Sequence, residues 1–412
     1  MAQEIPSIII DSGSHTTRAG FSGEEVPKLI FPSFINPAAT MKFGIESLTR
    51  PTAQPEALWE VAQQPNGKHA RVAKSKENVE ALFEYIFSRL GVNKDDPTTL
   101  APVLIVDPQP PYTPETQSFI AQTLFEKFNI PGVYFAASAV LNAFAAGKHS
   151  AIVVDIGAGG TSVVGVSEGL VSVPSWQPLG GDYLNAACLR LLTELGLAEL
   201  HVHEQIQSKE PVEMGKPPVF ILKPATTLTP EALEYQRQRL LEDWKASVAQ
   251  IAEFASSEPE LALKPPKFYE FPDGYNRNYG AERFRIGELL MGKDAPEGIA
   301  SLVEQIERVH SAVDSHSASI IIVSGGGSLL DGLGERLSNE LGARLQRGYG
   351  RGGLKVSHAG SALERHHACW IGGSILTSVG SFHKIWVSKQ EFADGGMAAF
   401  AKRPYASHLA LP

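Results

Sequence analysis

Cysteine is nearly absent: Cys188 and Cys369 are the only two in 412 residues. A chain this long with so few is not held by a disulfide framework, and a reducing compartment is the expectation. Basic charge is in deficit as well. The 36 Lys and Arg against 45 Asp and Glu leave a net charge of −9 and a pI near 5.8. That speaks against direct nucleic-acid binding, which needs clustered cations, but leaves open partners that touch DNA themselves. No uncharged apolar run approaches the roughly 20 residues needed to cross a bilayer, so no membrane partner is expected. The start, "MAQEIPSIIID", has neither the basic segment nor the apolar core of a signal peptide. What is present is an ordinary soluble composition, 43% hydrophobic and 20% charged, in a chain long enough for two or more lobes.

Short apolar strands recur at Ser7–Asp11, Pro102–Asp107, Ala151–Asp155 and Ser319–Ser324, each followed by a turn. Helical spacing fills the intervals. Val79, Leu82, Phe83, Ile86 and Leu90 fall on one face, with Ser75 placed to cap and Gly91 to stop the helix. Thr113 before Pro114 starts a second, which ends at the Pro131 break. Leu240, Trp244, Val248 and Ile251 mark a third helix, and Ile299, Leu302, Val303, Ile306 and Val313 a fourth. Strands alternating with helices predict an α/β fold with mixed or parallel sheets.

The most informative feature is an internal echo. "SIIIDSGSHTTRAGFSGE" and "AIVVDIGAGGTSVVGVSEG" align Asp11 with Asp155, Gly13 with Gly157, Thr17 with Thr161 and Glu24 with Glu168. One Asp-x-Gly turn is ordinary turn chemistry. Two in register, each after an apolar strand, present backbone N–H groups as phosphate loops do. A third turn, "IIIVSGGGSLLDG", puts three glycines after a buried-type strand, where a ligand can approach the backbone closely.

Two phosphate hairpins and a late Gly-Gly turn resemble the actin/Hsp70/hexokinase ATPase superfamily. In detail the chain resembles actin. The carrying stretches are "DSGSHTTRAGFSGEEVPKLIFPS", "LFEKFNIPGVYFAASAVLNAFAAG", "YEFPDGYNRNYGAERFR", "SGGGSLLDG", "ERHHACWIGGSIL" and "FHKIWVSKQEF", in order along nearly the whole chain. The resemblance implies a two-lobed α/β fold, each lobe a duplicated mixed-sheet, RNase H-like core with flanking helices. The small lobe would span 1–145, with a reduced upper part at about 34–76. The large lobe would span 146–365, with an upper insertion at about 181–293. Residues 366–412 would return to the small lobe.

The resemblance also implies a nucleotide cleft built from Asp11, Gly13, Ser14, His15, Arg18, Asp155, Gly157, Gly159, Lys245, Gly325, Gly326 and His366. Asp155 would reach Mg²⁺ through water. ATP with Mg²⁺ is therefore the implied ligand, held as a structural group rather than turned over, because the chain departs from actin at the chemistry. Ser138 stands where actin has a water-positioning glutamine, Ala158 replaces the second aspartate of the second loop, and Ser162 replaces a histidine. Water positioning and Mg²⁺-linked charge are most of what a protein contributes to phosphoryl transfer. No catalytic residue and no active ATPase are expected. The base pocket is altered too, with Ala246, Leu330 and His366 in place of actin's glutamate, tyrosine and lysine.

Residues 35–78 lack the signature of actin's inter-subunit loop, so no actin-like filament is expected. "DIGAGG", "GGDYLN" and "KFGIESL" resemble the divergent nuclear actin-related proteins of SWI/SNF and RSC chromatin-remodelling complexes. That resemblance implies a nuclear, structural or regulatory subunit. Its partners would be a long helix of the remodeller ATPase, the helicase/SANT-associated segment, and a second actin-related protein or actin. The helix would dock in a groove of Phe144, Ala145, Gly147, Gly169, Leu376 and Val379, an apolar trough of the kind helix-in-groove recognition uses. The alternative is a cytoplasmic actin-related protein of the dynactin pointed-end complex. The proline-rich stretch 201–230 is expected to be an irregular insertion whose H-x-H pair holds no metal, and the tail from Ala393 a loosely packed end.

Overall fold

The hairpin that opens each half of the chain organises its own sheet. The computed structural model describes residues 6–224, 228–294, 298–345, 354–401 and 403. In the first half, strand Ile8–Ser12 pairs antiparallel with Thr16–Phe21, which pairs antiparallel with Leu29–Pro32. On its other side Ile8–Ser12 runs parallel to Val103–Asp107, which runs parallel to Gly132–Ala137. The second half repeats this order. Ala151–Ile156 pairs antiparallel with Thr161–Ser167, then Leu170–Gln177 follows, and Ile320–Ser324 and Lys355–His358 run parallel on the other side. This duplicated mixed-sheet topology is the two-lobed α/β fold that the resemblance implies. The chain ends by returning: strand Val387–Ser388 adds to the first sheet beside Gly132–Ala137.

The echo is a matter of register. Asp11 lies across from Arg18 and Asp155 across from Ser162, and both turns close alike, Gly13 N–H on Thr16 O at 3.0 Å and Gly157 N–H on Gly160 O at 2.9 Å. The equivalence stops after the second strand. Glu24 sits in the loop that leads to Leu29–Pro32, whereas Glu168 occupies a tight turn at φ 50 before Leu170–Gln177.

The helix signals are met by their caps. Lys76–Leu90 starts with Ser75 Oγ accepting the Asn78 N–H and stops at Gly91, φ 77. Pro114–Gln122 is capped by Thr113 and runs on as a π-helix over Thr123–Lys127. The third and fourth helices span Pro230–Val248 and Leu302–Ala312, so Ile251, Ile299 and Val313 fall outside them.

Two helices join the lobes. Ser138–Ala145 packs Val140 and Ala143 on the second sheet, while Ala362–Thr377 packs Trp370 and Leu376 on the first. They touch each other so closely that a Cβ added at Gly372 would stand 1.9 Å from Leu141 O. Above the cleft the lobes are bridged again. Thr229 N–H donates to Pro51 O at 2.9 Å, Gln236 Nε2 to Thr49 O at 3.1 Å, and Phe34 packs edge-on against Tyr235.

Two expectations are corrected here. The stretch 201–230 is not wholly irregular: Ile206–Glu210 and Val219–Leu222 form an antiparallel hairpin, and His201 faces Asp273 and packs on Phe220. The tail is not loose at its start, because Phe400 is buried against Phe135 and Phe392; residues 402 and 404–412 lie outside the described residues.

Candidate functional site

All the residues assigned to the nucleotide from sequence line one cleft of about 540 Å³ between the lobes, a size suited to a nucleotide-sized ligand. The two hairpins meet there tip to tip. A Cβ on Gly159 would lie 2.7 Å from Ser14 Oγ, and one on Gly325, φ 83, would lie 2.3 Å from Asp155 Oδ1. Only glycine lets these three turns crowd so closely while keeping the backbone exposed to a ligand. The second hairpin is backed by the helix Gly181–Glu194, whose first N–H groups hold it: Gly181 N–H donates to Gly157 O and Asp182 N–H to Ala158 O, both at 2.9 Å.

The side chains are less free than the sequence suggests. Arg18 does not extend alone toward a phosphate. Its Nη1 pairs with Asp11 at 3.3 Å and its Nε donates to His367 Nδ1 at 2.8 Å, with His366 Nε2 within 3.4 Å of Nη2. Burial and the Arg18 charge push His366 and His367 down to about 4, so both are neutral acceptors at physiological pH. His15 turns across the cleft mouth, its Nε2 3.2 Å from Glu242 Oε1. Lys245 is engaged by the Gly181–Glu194 helix, donating to Asn185 Oδ1 at 2.6 Å and Gly181 O at 3.0 Å. These residues line the cleft, but their charges are partly spent on the protein itself.

Asp155 is the exception. It accepts one long bond from Asn142 Nδ2, 3.4 Å, and burial together with the neighbouring Asp11 raises its carboxyl to about 6. A cation brought in by a phosphate would relieve that repulsion, which fits the water-mediated Mg²⁺ role. The described residues contain no group of three or more His, Cys, Asp or Glu able to hold a metal by themselves, so Mg²⁺ fits this cleft only together with phosphate oxygens. Between pH 3.8 and about 6 the folded state keeps a proton that the unfolded chain loses, so stability falls as pH rises through this window. Asp155→Asn, neutral throughout, is expected to raise the melting temperature of nucleotide-free protein at neutral pH by about 2–4 °C, a gain that vanishes below pH ~4. Thermal scans at the two pH values check this.

The three positions that differ from actin are where chemistry would occur. Ser138 opens its helix and is buried at the cleft wall, Ala158 is at the second hairpin tip, and Ser162 is buried across from Asp155. Ala246 and Leu330 line the same cavity. Among the lining residues that sequence reasoning missed are Arg71, Trp176, Arg365 and the Pro108–Gln109–Pro110 turn. Arg71 and the 108–110 turn come from elements remote in sequence from the hairpins, so no local signal marks them; Trp176 lies on the strand paired with the second hairpin and Arg365 beside His366.

The second candidate surface lies at the ends of the two joining helices. Cys369 Sγ is 3.7 Å from Ser138 O and Gly372 sits on Leu141, so the helices run side by side and Phe144 comes level with Ile375 and Leu376. Leu376 is corrected: at 6% exposure it belongs to the core with Trp370 and Phe382, not to a groove. Gly169 is buried in a turn, φ 75, and donates to His149 O. Gly147 is open, with nothing within 4 Å of an added Cβ. Phe144 and Ala145 are half-buried, and the exposed apolar positions are Val379 at 51% and Ile375 at 46%.

Comparison with known proteins agrees with this architecture. The Actin family matches residues 2–404. Actin-related protein 4 of Yarrowia lipolytica is 31% identical over 95% of this chain and 94% of that protein. The SWI/SNF and RSC complexes subunit arp42 of Schizosaccharomyces pombe is 32% identical over 96% of this chain and 97% of its own length. Actin-related protein 4 of the same organism is 31% identical over 95% of both. Among the described residues no helix is long and apolar enough to cross a membrane.

Proposed function

We propose that this chain, which belongs to the actin family, is a structural or regulatory subunit of a nuclear chromatin-remodelling complex. The observation that carries the reading is its similarity, end to end, to a relative named as a SWI/SNF and RSC complexes subunit. Its activity in this reading is architectural. The cleft keeps glycine cradles and Asp155 but has Ser138, Ala158 and Ser162 in place of hydrolytic groups. Bound ATP with Mg²⁺ therefore serves as a structural group that ties the lobes together, stabilising the closed fold by linkage. The lack of actin's inter-subunit loop signature in residues 35–78 supports a chain that does not form filaments.

The interaction surface in this reading is the end of the paired helices, where Ile375, Val379 and the open Gly147 offer an apolar strip to a remodeller helix. A second actin-related protein or actin would sit beside this chain on the same helix. Burying one large apolar side chain is worth roughly 1.5–3 kcal/mol, so a charge at the centre of the strip is expected to lower affinity about tenfold or more. Val379→Asp, exposed and outside the core, is expected to weaken capture of a helicase/SANT-associated peptide by about tenfold or more while circular dichroism stays unchanged. Tagged full-length protein purified from cells is expected to bring down a remodeller ATPase. Recovery of dynactin instead, or unchanged peptide binding by folded Val379→Asp and Ile375→Asp, overturns the respective part of the reading.

A further inference from the structure

The cleft contains a cation that none of its motifs announces. Arg71 comes from the upper small-lobe hairpin of Trp59–Gln63 and His69–Ala73. Its backbone is clamped to the segment after Val103–Asp107: Arg71 N–H donates to Pro111 O at 2.8 Å, and Thr113 N–H donates to Arg71 O at 3.0 Å. From this fixed mount the guanidinium descends onto the first phosphate hairpin. Nη1 donates to Ser12 O at 3.0 Å and Nη2 to Ser14 Oγ at 2.6 Å. The residue is only 5% exposed, yet it lines the cleft.

Its position is where the two hairpins meet, since Ser14 Oγ is also the atom that a Cβ on Gly159 would strike. The Arg71 charge acts on both hairpin aspartates, lowering the carboxyls of Asp11 and Asp155 against the upward push of burial. The facing tip carries Ala158, a methyl group, in the same cavity. A carboxylate there would both attract a hydrated metal and neutralise Arg71. With alanine, no third carboxylate competes for the guanidinium, whose Nη1 and Nη2 each carry a second N–H beyond those given to Ser12 O and Ser14 Oγ. A guanidinium is a permanent cation that binds phosphate oxygens through a fixed fork of N–H donors and needs no carboxylate to hold it.

We propose that Arg71 is a phosphate-binding residue of the cleft and that, with Ala158 in the facing tip, it lets the chain hold a nucleoside polyphosphate without a divalent cation. The proposal rests on the nucleotide-retaining reading above and goes beyond it, because that reading places Mg²⁺ with the ATP. Arg71 in this assignment does the charge-balancing that a metal does elsewhere, and its mounting on the 69–73 strand couples phosphate binding to the position of the upper small lobe.

The test uses the full-length protein, stripped of nucleotide and titrated with ATP by calorimetry in EDTA and in Mg²⁺. Wild type is expected to bind ATP in EDTA within about threefold of its affinity in Mg²⁺, and Arg71→Met to lose at least about tenfold in EDTA. Arg71→Lys, keeping the charge but not the fork, is expected to fall between them. Ala158→Asp, with Arg71 intact, is expected to weaken binding in EDTA and to restore a Mg²⁺ requirement. A merely structural Arg71 would lower thermal stability without changing the ratio of the EDTA and Mg²⁺ affinities. Wild-type binding that requires Mg²⁺ overturns this proposal alone, as does an Arg71→Met protein whose EDTA and Mg²⁺ affinities match wild type. If Arg71→Met does not fold, Arg71→Lys and Ala158→Asp decide the question by the same ratio. Absence of ATP binding to wild type in both buffers removes the nucleotide-retaining reading and this proposal with it.

Discussion

Gly372→Ala is expected to leave little folded protein. The added Cβ would stand 1.9 Å from Leu141 O and 2.5 Å from Leu141 C, so it meets backbone, not the movable end of a side chain. The two helices must then separate, and both are committed elsewhere. Ser138–Ala145 is seated on the second sheet through Val140 and Ala143, and Ala362–Thr377 on the first through Trp370 and Leu376. Interiors this dense do not yield by fractions of an ångström without opening voids. The expected loss is roughly 4–5 kcal/mol, a large part of the 5–15 kcal/mol that a folded domain has. Gly147→Ala is the control: its φ is 66, but the space around an added Cβ is open, so the expected cost is only about 1–2 kcal/mol. Soluble yield and a cooperative thermal melt of the two variants check the contrast. A Gly372→Ala protein that melts like wild type would show that the helices can slide apart at little cost.

ATP turnover by the purified chain is expected to lie about 10²–10⁴-fold below that of an actin-family member that keeps the hydrolytic groups, the range that general-base assistance to the attacking water is worth. The geometry explains why neighbours do not substitute. Ser138 sits at the wall of the cleft, where a seryl hydroxyl is too short to replace a glutamine amide. Ser162 is buried across from Asp155 within the sheet. Ala158 offers no proton acceptor. His366 and His367 are neutral at physiological pH, but they face Arg18 at the cleft floor. Cys369 is held as a thiol by burial and by the two aspartates, so it is no nucleophile. Phosphate release from wild type is therefore expected to equal that from Asp155→Ala. Turnover that Asp155→Ala abolishes would mean that Asp155 alone suffices to direct the water.

Much of the cleft was legible because its parts are local. An apolar strand followed by Asp-x-Gly is a turn with its own hydrogen bond, and two such turns close identically here at Gly13 and Gly157. Helix starts at Ser75 and Thr113 were legible for the same reason, since a cap is a contact between residues three apart. The errors were long-range. Arg18 lines the cleft as expected, but its tie to His367, 349 positions away, has no signal in the hairpin. Leu376 was read as surface, in a helix segment with apolar residues on more than one face. Which of those faces is inside depends on the sheet beneath, and that places Leu376 in the core and Val379 outside.

The sequence by itself determined the class of fold, the three glycine turns, the residues that converge on the cleft and the loss of the groups at 138, 158 and 162. These are properties of turn chemistry, strand hydrophobicity and residue identity, all carried by short stretches. Only the tertiary structure decided which charges are free and which are already partnered. Arg18, His15 and Lys245 are engaged by groups on other elements, and Arg71, mounted on a strand outside both hairpins, is partnered by Ser12 O and Ser14 Oγ at the point where the two hairpins meet. A side chain's partners are set by the packing of elements distant in sequence, and the direction in which it points follows from the register of a sheet or the seat of a helix. Neither is encoded in the residue's own neighbourhood.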